Sequence, residues 1–333
     1  MNKPENDAFD PSERAPGNVR FRNEHPDAGD STAELIEGLN SSQKFISPKY
    51  FYDQRGSQLF DEITRLPEYY PTRTEIAILT EHSAEISEAC GQGCLFIEPG
   101  SGSCEKVRLL LDALQPQAYV PVDISADFLL QAATKLGREY PWLTIKAICA
   151  DFNDSWSFVD DLPTGKRVIF YPGSTIGNLD PANALTFLKR IRAVMGEDGG
   201  VLIGADLHKA SSVLNAAYND AQNVTAEFNL NVLNNVNSIL DSDFDTNQFT
   251  HRAFYNVDRR RIEMHLISKR TQTVHYPSGV IELQAGESIH TENSYKYTTA
   301  GFAELAESAG LRVSQSWIDE EQLFSVHYLR AAQ

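Results

Sequence analysis

Between residues 94 and 205, short apolar runs alternate with helical patterns, and this alternation restricts the fold more than any other feature of the chain. The runs occupy residues 94–98, 118–123, 144–149, 168–171 and 201–205. Helical periodicity fills 105–114 and 125–136, and Asp180-Pro181 opens a third helix, to Val194, with a cap and a first-turn proline. Repeated strand–helix alternation implies a doubly wound parallel sheet with helices on both faces. Pro121 falls inside the second run and lacks an N–H, which suits a sheet edge or a bulge. A helix over 299–309, closed by Gly310, and strands over 312–317 and 323–328 end the chain with an antiparallel strand.

Two other segments break this rhythm. Residues 1–30 hold few apolar side chains and read as a flexible leader without a signal-peptide core. Ser31 to Glu34 forms a capping box ahead of Leu35, Ile36 and Leu39, and a short helix with Leu59, Phe60, Ile63 and Leu66 stops at Pro67. A second capping box, Thr72 to Glu75, opens a helix carrying Ile76, Leu79 and Ile86. Beyond Leu207, residues 209–240 read as two helices joined near Asn223. Residues 249–297 read as antiparallel strands, with Ile262, Met264 and Leu266 alternating against Glu263 and His265. The expected division is a leader (1–30), a smaller α+β domain (31–73 with 209–296) and a sheet domain (74–208 with 297–333).

Charge narrows the function. Asp plus Glu number 46 against 29 Lys plus Arg, a net charge of −17, which opposes binding to nucleic acid or to an anionic membrane. No apolar run approaches the roughly 18 residues of a spanning helix, so a cytoplasmic protein is expected. Cys90, Cys94, Cys104 and Cys149 lack paired zinc spacing and read as reduced thiols near the core. No metal is expected.

The sharpest local signal is the loop Glu98-Pro99-Gly100-Ser101-Gly102-Ser103-Cys104-Glu105-Lys106, which follows a strand and opens a helix. The third glycine of a dinucleotide fingerprint would fall on Glu105, which disfavours a nicotinamide oxidoreductase. A pyrophosphate would also be repelled by Glu98. S-adenosylmethionine carries a sulfonium and an ammonium and no phosphate, so an acidic residue before the glycines suits it. Asp123 ends the next strand, where a carboxylate can accept ribose hydroxyls. Asp151-Phe152 ends the third, offering an acceptor and an aromatic face to an adenine.

The chain resembles the L-histidine Nα-methyltransferase family of ergothioneine biosynthesis. The matching stretches are Lys49-Tyr50-Phe51-Tyr52-Asp53, the run from Leu59 to Arg73, the glycine loop and Gly173-Ser174-Thr175-Ile176-Gly177-Asn178-Leu179. Arg261-Ile262-Glu263-Met264 and Thr291-Glu292-Asn293-Ser294 complete the set. The likeness spans about residues 40–330, with Pro99 and Cys104 standing where Leu and Ser or Thr are usual. It implies a Rossmann-like methyltransferase domain with a smaller substrate-binding domain, acting as a monomer that trimethylates the α-amine of L-histidine to hercynine. By the same resemblance Tyr69, Asn178 and Tyr218 hold the amine and carboxylate, and Tyr52 sits near the amine, with Tyr52 and Tyr69 as the catalytic pair. Glu292 and Ser294 read the imidazole, and Met264, Phe60 and Thr225 line the pocket. Gly100, Ser101, Gly102, Lys106, Asp123, Asp151 and Phe152 contact the cofactor.

The chemistry asks for such residues. Methyl transfer is an in-line displacement that needs alignment and exclusion of water. A desolvated site lined by tyrosine oxygens favours the neutral amine and can take up the released proton, and aromatic faces tolerate the quaternary product. Two other readings stay open: an Nα-methyltransferase of another aromatic amino acid such as tryptophan, and a non-catalytic binding protein with this fold.

Overall fold

Strands buried on both faces have to be apolar throughout, and the central runs of this chain meet that demand. The computed structural model describes residues 15–24, 28–152 and 156–332. Its strands are β1 (Val19–Asn23), β2 (Lys44–Phe45), β3 (Leu95–Pro99), β4 (Ala118–Asp123), β5 (Ile145–Cys149), β6 (Arg167–Tyr171) and β7 (Gly200–Asp206). Further on come β8 (Phe249–Asn256), β9 (Arg261–Ser268), β10 (Gln272–Tyr276), β11 (Gly279–Leu283), β12 (Ser288–Tyr295), β13 (Leu311–Ile318) and β14 (Phe324–Ala331). The helices are α1 (Ala28–Asn40), α2 (Gln54–Ile63), α3 (Tyr70–Glu81), α4 (Ser83–Cys90) and α5 (Arg108–Leu114). They continue with α6 (Ala126–Glu139), α7 (Pro181–Met195), α8 (Ser211–Ala217), α9 (Val224–Leu240) and α10 (Thr299–Ser308).

The main sheet has the order β1-β5-β4-β3-β6-β7-β14-β13, parallel up to β7 and antiparallel for β14 and β13. Every residue of β3, β4 and β7 is buried. Neighbours in sequence point to opposite faces, so Phe96 joins one core with Leu79, Leu136 and Tyr328 while Ile97 joins another with Phe187, Leu188 and Phe302. The winding reverses at β3, flanked by β4 and β6, so a crevice opens at the carboxyl ends of these strands. The four cysteines are buried free thiols. Among the described residues no helix is long and apolar enough to cross a membrane.

A separate hydrophobic cluster draws on Leu35, Phe51, Leu59 and Ile63 near the start and on Leu214, Phe228, Val232, Met264, Leu266 and Ile289 much later in the chain. Its sheet is β2-β12-β9-β8, with β10 and β11 as a separate hairpin. Asn223, with φ 60, and the carboxylate of Asp220, which accepts from the N–H groups of Val224 and Thr225, separate α8 from α9.

Several expectations change. Residues 1–14 and 25–27 of the expected leader lie outside the described residues, but Val19–Asn23 pairs with β5 as an edge strand and α1 starts at Ala28, ahead of Ser31. Tertiary pairing orders a segment too polar to announce itself. The helix expected after Thr72 is two, broken at His82, and α5 starts at Arg108 because the turn after the glycines runs on to Val107. Pro121 lies in an interior strand, not at an edge. The β4–β5 register passes from Tyr119↔Ile145 to Val122↔Ile148, so the ladder is open where the missing N–H would have pointed.

Candidate active site

The glycine loop is shaped by backbone that side chains resist. Gly100 has φ 70 and Gly102 φ 51, and the Gly100 N–H turns back to Val122 O at 2.7 Å. Asp123, at the end of β4, accepts from the N–H of Gly102 at 2.9 Å and of Ser125 at 3.0 Å, binding the loop to the neighbouring strand. Burial raises its pKa against those backbone donors. Phe152, at the end of β5, packs on the loop, 3.4 Å from where a side chain on Gly100 would begin. Asp151 is buried and takes the Lys49 ammonium at 3.2 Å, tying the smaller sheet's side of the chain to the main sheet. The carboxyl ends of β3, β4 and β5 therefore converge, with Gly100, Ser101, Gly102, Asp123, Asp151 and Phe152 together. Lys106 differs: its ammonium pairs at 2.6 Å with buried Glu75, which also receives the Gly173 N–H at 2.9 Å. This pairing holds Lys106 between the glycine loop and the turn at Gly173. Glu98 is buried beneath them, accepts from the Tyr119 hydroxyl, and is pushed up to about 8 by burial.

The Gly173–Asn178 motif has a steric reason. A side chain on Gly177 would meet Tyr295 O at 2.8 Å, so only glycine lets this turn lie on β12. Ser174 accepts from the Asp206 N–H at 2.9 Å. Asn178 ends the turn.

Across the crevice stands an aromatic wall. Phe60 meets Tyr52 edge-on at 5.8 Å and Tyr69 at 6.4 Å, and Tyr69 meets Tyr218 at 6.3 Å. Phe228 of α9 completes it, 6.0 Å from both Tyr52 and Phe60. Burial pushes the hydroxyls of Tyr52, Tyr69 and Tyr218 well above the usual phenol range, helped by the charge of Glu292 and, for Tyr69, by Tyr218 first. The direction of the shift favours the protonated phenols, whose oxygens offer lone pairs.

On β12, Glu292 and Ser294 face inward opposite Met264 and Ile262 of β9. Glu292 is 8% exposed, its carboxylate makes no hydrogen bond among the described residues, and burial pushes it up to about 7 while Lys296 pulls it back. Thr225, in the first turn of α9, donates its backbone N–H to the Asp220 carboxylate.

Beneath this site lies a charged network that sequence reasoning missed. Asp206, at the end of β7, is contacted by Lys296 at 2.7 Å, Lys209 at 2.5 Å and the Tyr70 hydroxyl at 2.7 Å. Burial acts against its ionisation, but the two ammonium groups outweigh that and hold its pKa below the usual range. Burial brings Lys209 down to about 8. Lys296 also donates to Ser294 at 2.8 Å and lies 5.3 Å from the Tyr218 ring centre. A strand-end aspartate and a lysine two residues beyond Ser294, on the same strand face, were the available signals.

Among the described residues one trio, Glu263, His265 and His290, brings metal-ligating atoms within 4.8 Å of one another. Arg261 and Asn256 already donate to Glu263, at 2.8 and 3.0 Å, and the two imidazoles stack rather than converge. A depression lined by Asn223, Leu230, Phe249 and Lys269 shares none of the aromatic wall.

A family model described as histidine-specific, S-adenosylmethionine-dependent methyltransferase matches residues 31–331. A histidine N-alpha-methyltransferase of Mycolicibacterium smegmatis is 44% identical over 304 residues, 88% of this chain and 94% of that protein. Ergothioneine biosynthesis protein 1 of Neurospora crassa is 30% identical over 286 residues, 80% of this chain and 31% of that protein. The crystal structure of the PH0226 protein from Pyrococcus horikoshii OT3 shares the fold at a TM-score of 0.50 and 12% identity, covering 84% of this chain and 99% of that one.

Proposed function

This chain belongs to the histidine-specific, S-adenosylmethionine-dependent methyltransferase family, and from that premise we propose that it trimethylates the α-amine of L-histidine, giving hercynine for ergothioneine biosynthesis. The observation that carries the substrate is Glu292: a buried carboxylate with no hydrogen-bond partner among the described residues, beside Ser294 and facing an aromatic wall. A carboxylate and a hydroxyl match the two ring nitrogens of an imidazole. A phenyl ring leaves the carboxylate buried and unpaired, and an indole, with a single ring N–H, cannot engage both the carboxylate and the hydroxyl, which argues against phenylalanine or tryptophan as the substrate.

S-adenosylmethionine supplies the methyl group on a sulfonium. The loop residues fit it. The Ser101 hydroxyl is buried with no hydrogen-bond partner among the described residues, and the space a side chain on Gly102 would take is open. In this reading Asp123 and Asp151 hold polar ends of the ligand and Phe152 supports a flat ring. The Asn178 amide and the hydroxyls of Tyr69 and Tyr218 receive the amino acid's carboxylate and amine. Tyr52 closes on the nitrogen, and Phe60, Met264 and Thr225 shape the wall. Burial disfavours the ammonium form of the substrate, so the amine binds neutral and its N–H groups find tyrosine oxygens. Each transfer makes the nitrogen bulkier and finally cationic, and facing rings stabilise it by roughly 0.5–2 kcal/mol. In-line displacement asks for no metal.

The separate hydrophobic clusters support a substrate domain of residues 31–73 and 209–296 against a methyltransferase domain of 74–208 and 297–333. The net charge of −17 supports a cytoplasmic monomer with small-molecule partners only, binding neither membrane nor nucleic acid.

Mass spectrometry of the protein with S-adenosylmethionine and a mixture of amino acids tests the substrate: mono-, di- and trimethylhistidine are expected, and methylation of another amino acid alone overturns the reading. Asp123→Ala is expected to weaken S-adenosylhomocysteine binding roughly 10- to 100-fold, from a lost charged hydrogen bond of ~1.5–3 kcal/mol. Unchanged affinity in calorimetric titration removes Asp123 from the cofactor site.

A further inference from the structure

We propose that Thr291 is a positioning residue for substrate selection: its hydroxyl, held by Asn229, pins the β-bulge that turns Glu292 into the site. The inference rests on the reading of Glu292 given above.

Side chains on a strand alternate, so a regular β12 with Ile289 inward would send His290 outward, Thr291 inward and Glu292 outward. The observed register differs. Ile289 faces Leu266 and His290 faces His265, but Met264 is met by Glu292, and Thr291 is the extra residue of a bulge. Leu266, Met264 and Ile262 belong to the smaller core, so this one inserted residue puts Glu292 and Ser294 on the inner face and leaves His290 and Asn293 on the other. Without the bulge the carboxylate would share a face with His290.

The bulge is tied by hydrogen bonds whose directions follow from the groups involved. The Tyr218 carbonyl can only accept, so His251 Nε2, at 3.0 Å, carries the hydrogen. His251 Nδ1 then accepts from the Asn229 side-chain amide at 2.9 Å, and the same amide donates to His265 O at 3.1 Å. Asn229 is fully buried, and its Oδ1 is left facing the Thr291 hydroxyl at 2.7 Å. Met264 O lies 3.1 Å from that hydroxyl. One chain of contacts thus joins the backbone of Tyr218 to the bulge beside Glu292, across α9 and two strands. Removing the hydroxyl leaves Asn229 Oδ1 buried and unpaired, and a slip that restores regular alternation turns Glu292 away.

Thr291→Val keeps the volume and loses the donor. It is expected to raise KM for histidine about 10-fold and to lower the preference for histidine over phenylalanine, with kcat changed less than 3-fold. S-adenosylhomocysteine affinity, measured by calorimetry, is expected to hold. Thr291→Ser restores KM. Thr291→Cys, a weaker donor of similar size, falls between, and serves if the valine variant does not fold. In a Glu292→Ala background Thr291→Val adds nothing further to KM, because no carboxylate remains to be aimed. If Glu292→Ala raises KM while Thr291→Val does not, or if serine fails to restore it, the pin is wrong and the reading of Glu292 stands. If Glu292→Ala itself leaves KM unchanged, the reading of Glu292 fails, and the inference falls with it.

Discussion

Asp206→Asn is expected to lower the melting temperature by on the order of 5–10 °C, corresponding to about 3–5 kcal/mol lost when a buried ion pair is broken from one side. Asp206 is 1% exposed and is the carboxylate that both Lys209 and Lys296 contact. Asparagine fits the space but leaves two buried ammonium groups without the carboxylate they contact, and Lys296 is itself 4% exposed. The second consequence is functional, since Lys296 donates to Ser294 and lies over Tyr218. KM for histidine is therefore expected to rise, while S-adenosylhomocysteine binding changes little. Adding Lys296→Met to Asp206→Asn removes one stranded charge, so the double variant is expected to be less destabilised than the two single losses added together. Scanning calorimetry of the two single variants and the double decides the matter. A single-variant shift under about 1 °C shows that the network does not stabilise the fold.

The asparagine test concerns residues that a reading of the sequence passes over, and the reason is physical. The alternation of runs predicts the parallel sheet because periodicity is local, and Asp123, Asp151 and Phe152 follow from strand ends. Contacts that join distant segments leave no local mark. Asp206 ends a strand as Asp123 does, but only its approach to Lys296 distinguishes it. Phe228 reads as a core residue of an amphipathic helix, and it is that as well as part of the aromatic wall. Lys106 pairs with Glu75 of another helix, a contact that spacing along the chain does not announce. The strand Val19–Asn23 is ordered by pairing with β5 rather than by its own composition. Spacing by two correctly puts Glu292 and Ser294 on one face. That this face is the inner one depends on a bulge, which alternation alone cannot reveal.

Glu292→Ala is expected to raise KM for histidine roughly 10- to 100-fold, the equivalent of a lost charged hydrogen bond of ~1.5–3 kcal/mol, and to lower discrimination against phenylalanine and tryptophan. Cofactor affinity should barely change, because the carboxylate belongs to β12 and not to the glycine loop. The titration of the same group gives an independent check. Burial pushes Glu292 up to about 7 in the folded protein, above the ~4.3 of an unfolded glutamate. A carboxyl raised in this way favours the fold fully below its unfolded pKa, and that contribution is lost as pH rises through about 7. Glu292→Gln cannot ionise, so its stability relative to the parent should climb from about pH 4 to about 7 and stay level above. Catalysis should run the other way. The parent loses the imidazole acceptor as pH falls through about 7, whereas the glutamine variant has none to lose, so the parent's advantage in kcat/KM should shrink toward acid pH. The substrate's own titrations cancel in that ratio. Steady-state kinetics and thermal melts across pH 5–9 on the two proteins measure both trends. A kcat/KM ratio that is flat across the range, together with unchanged preference for histidine in Glu292→Ala, assigns recognition of the imidazole to another group.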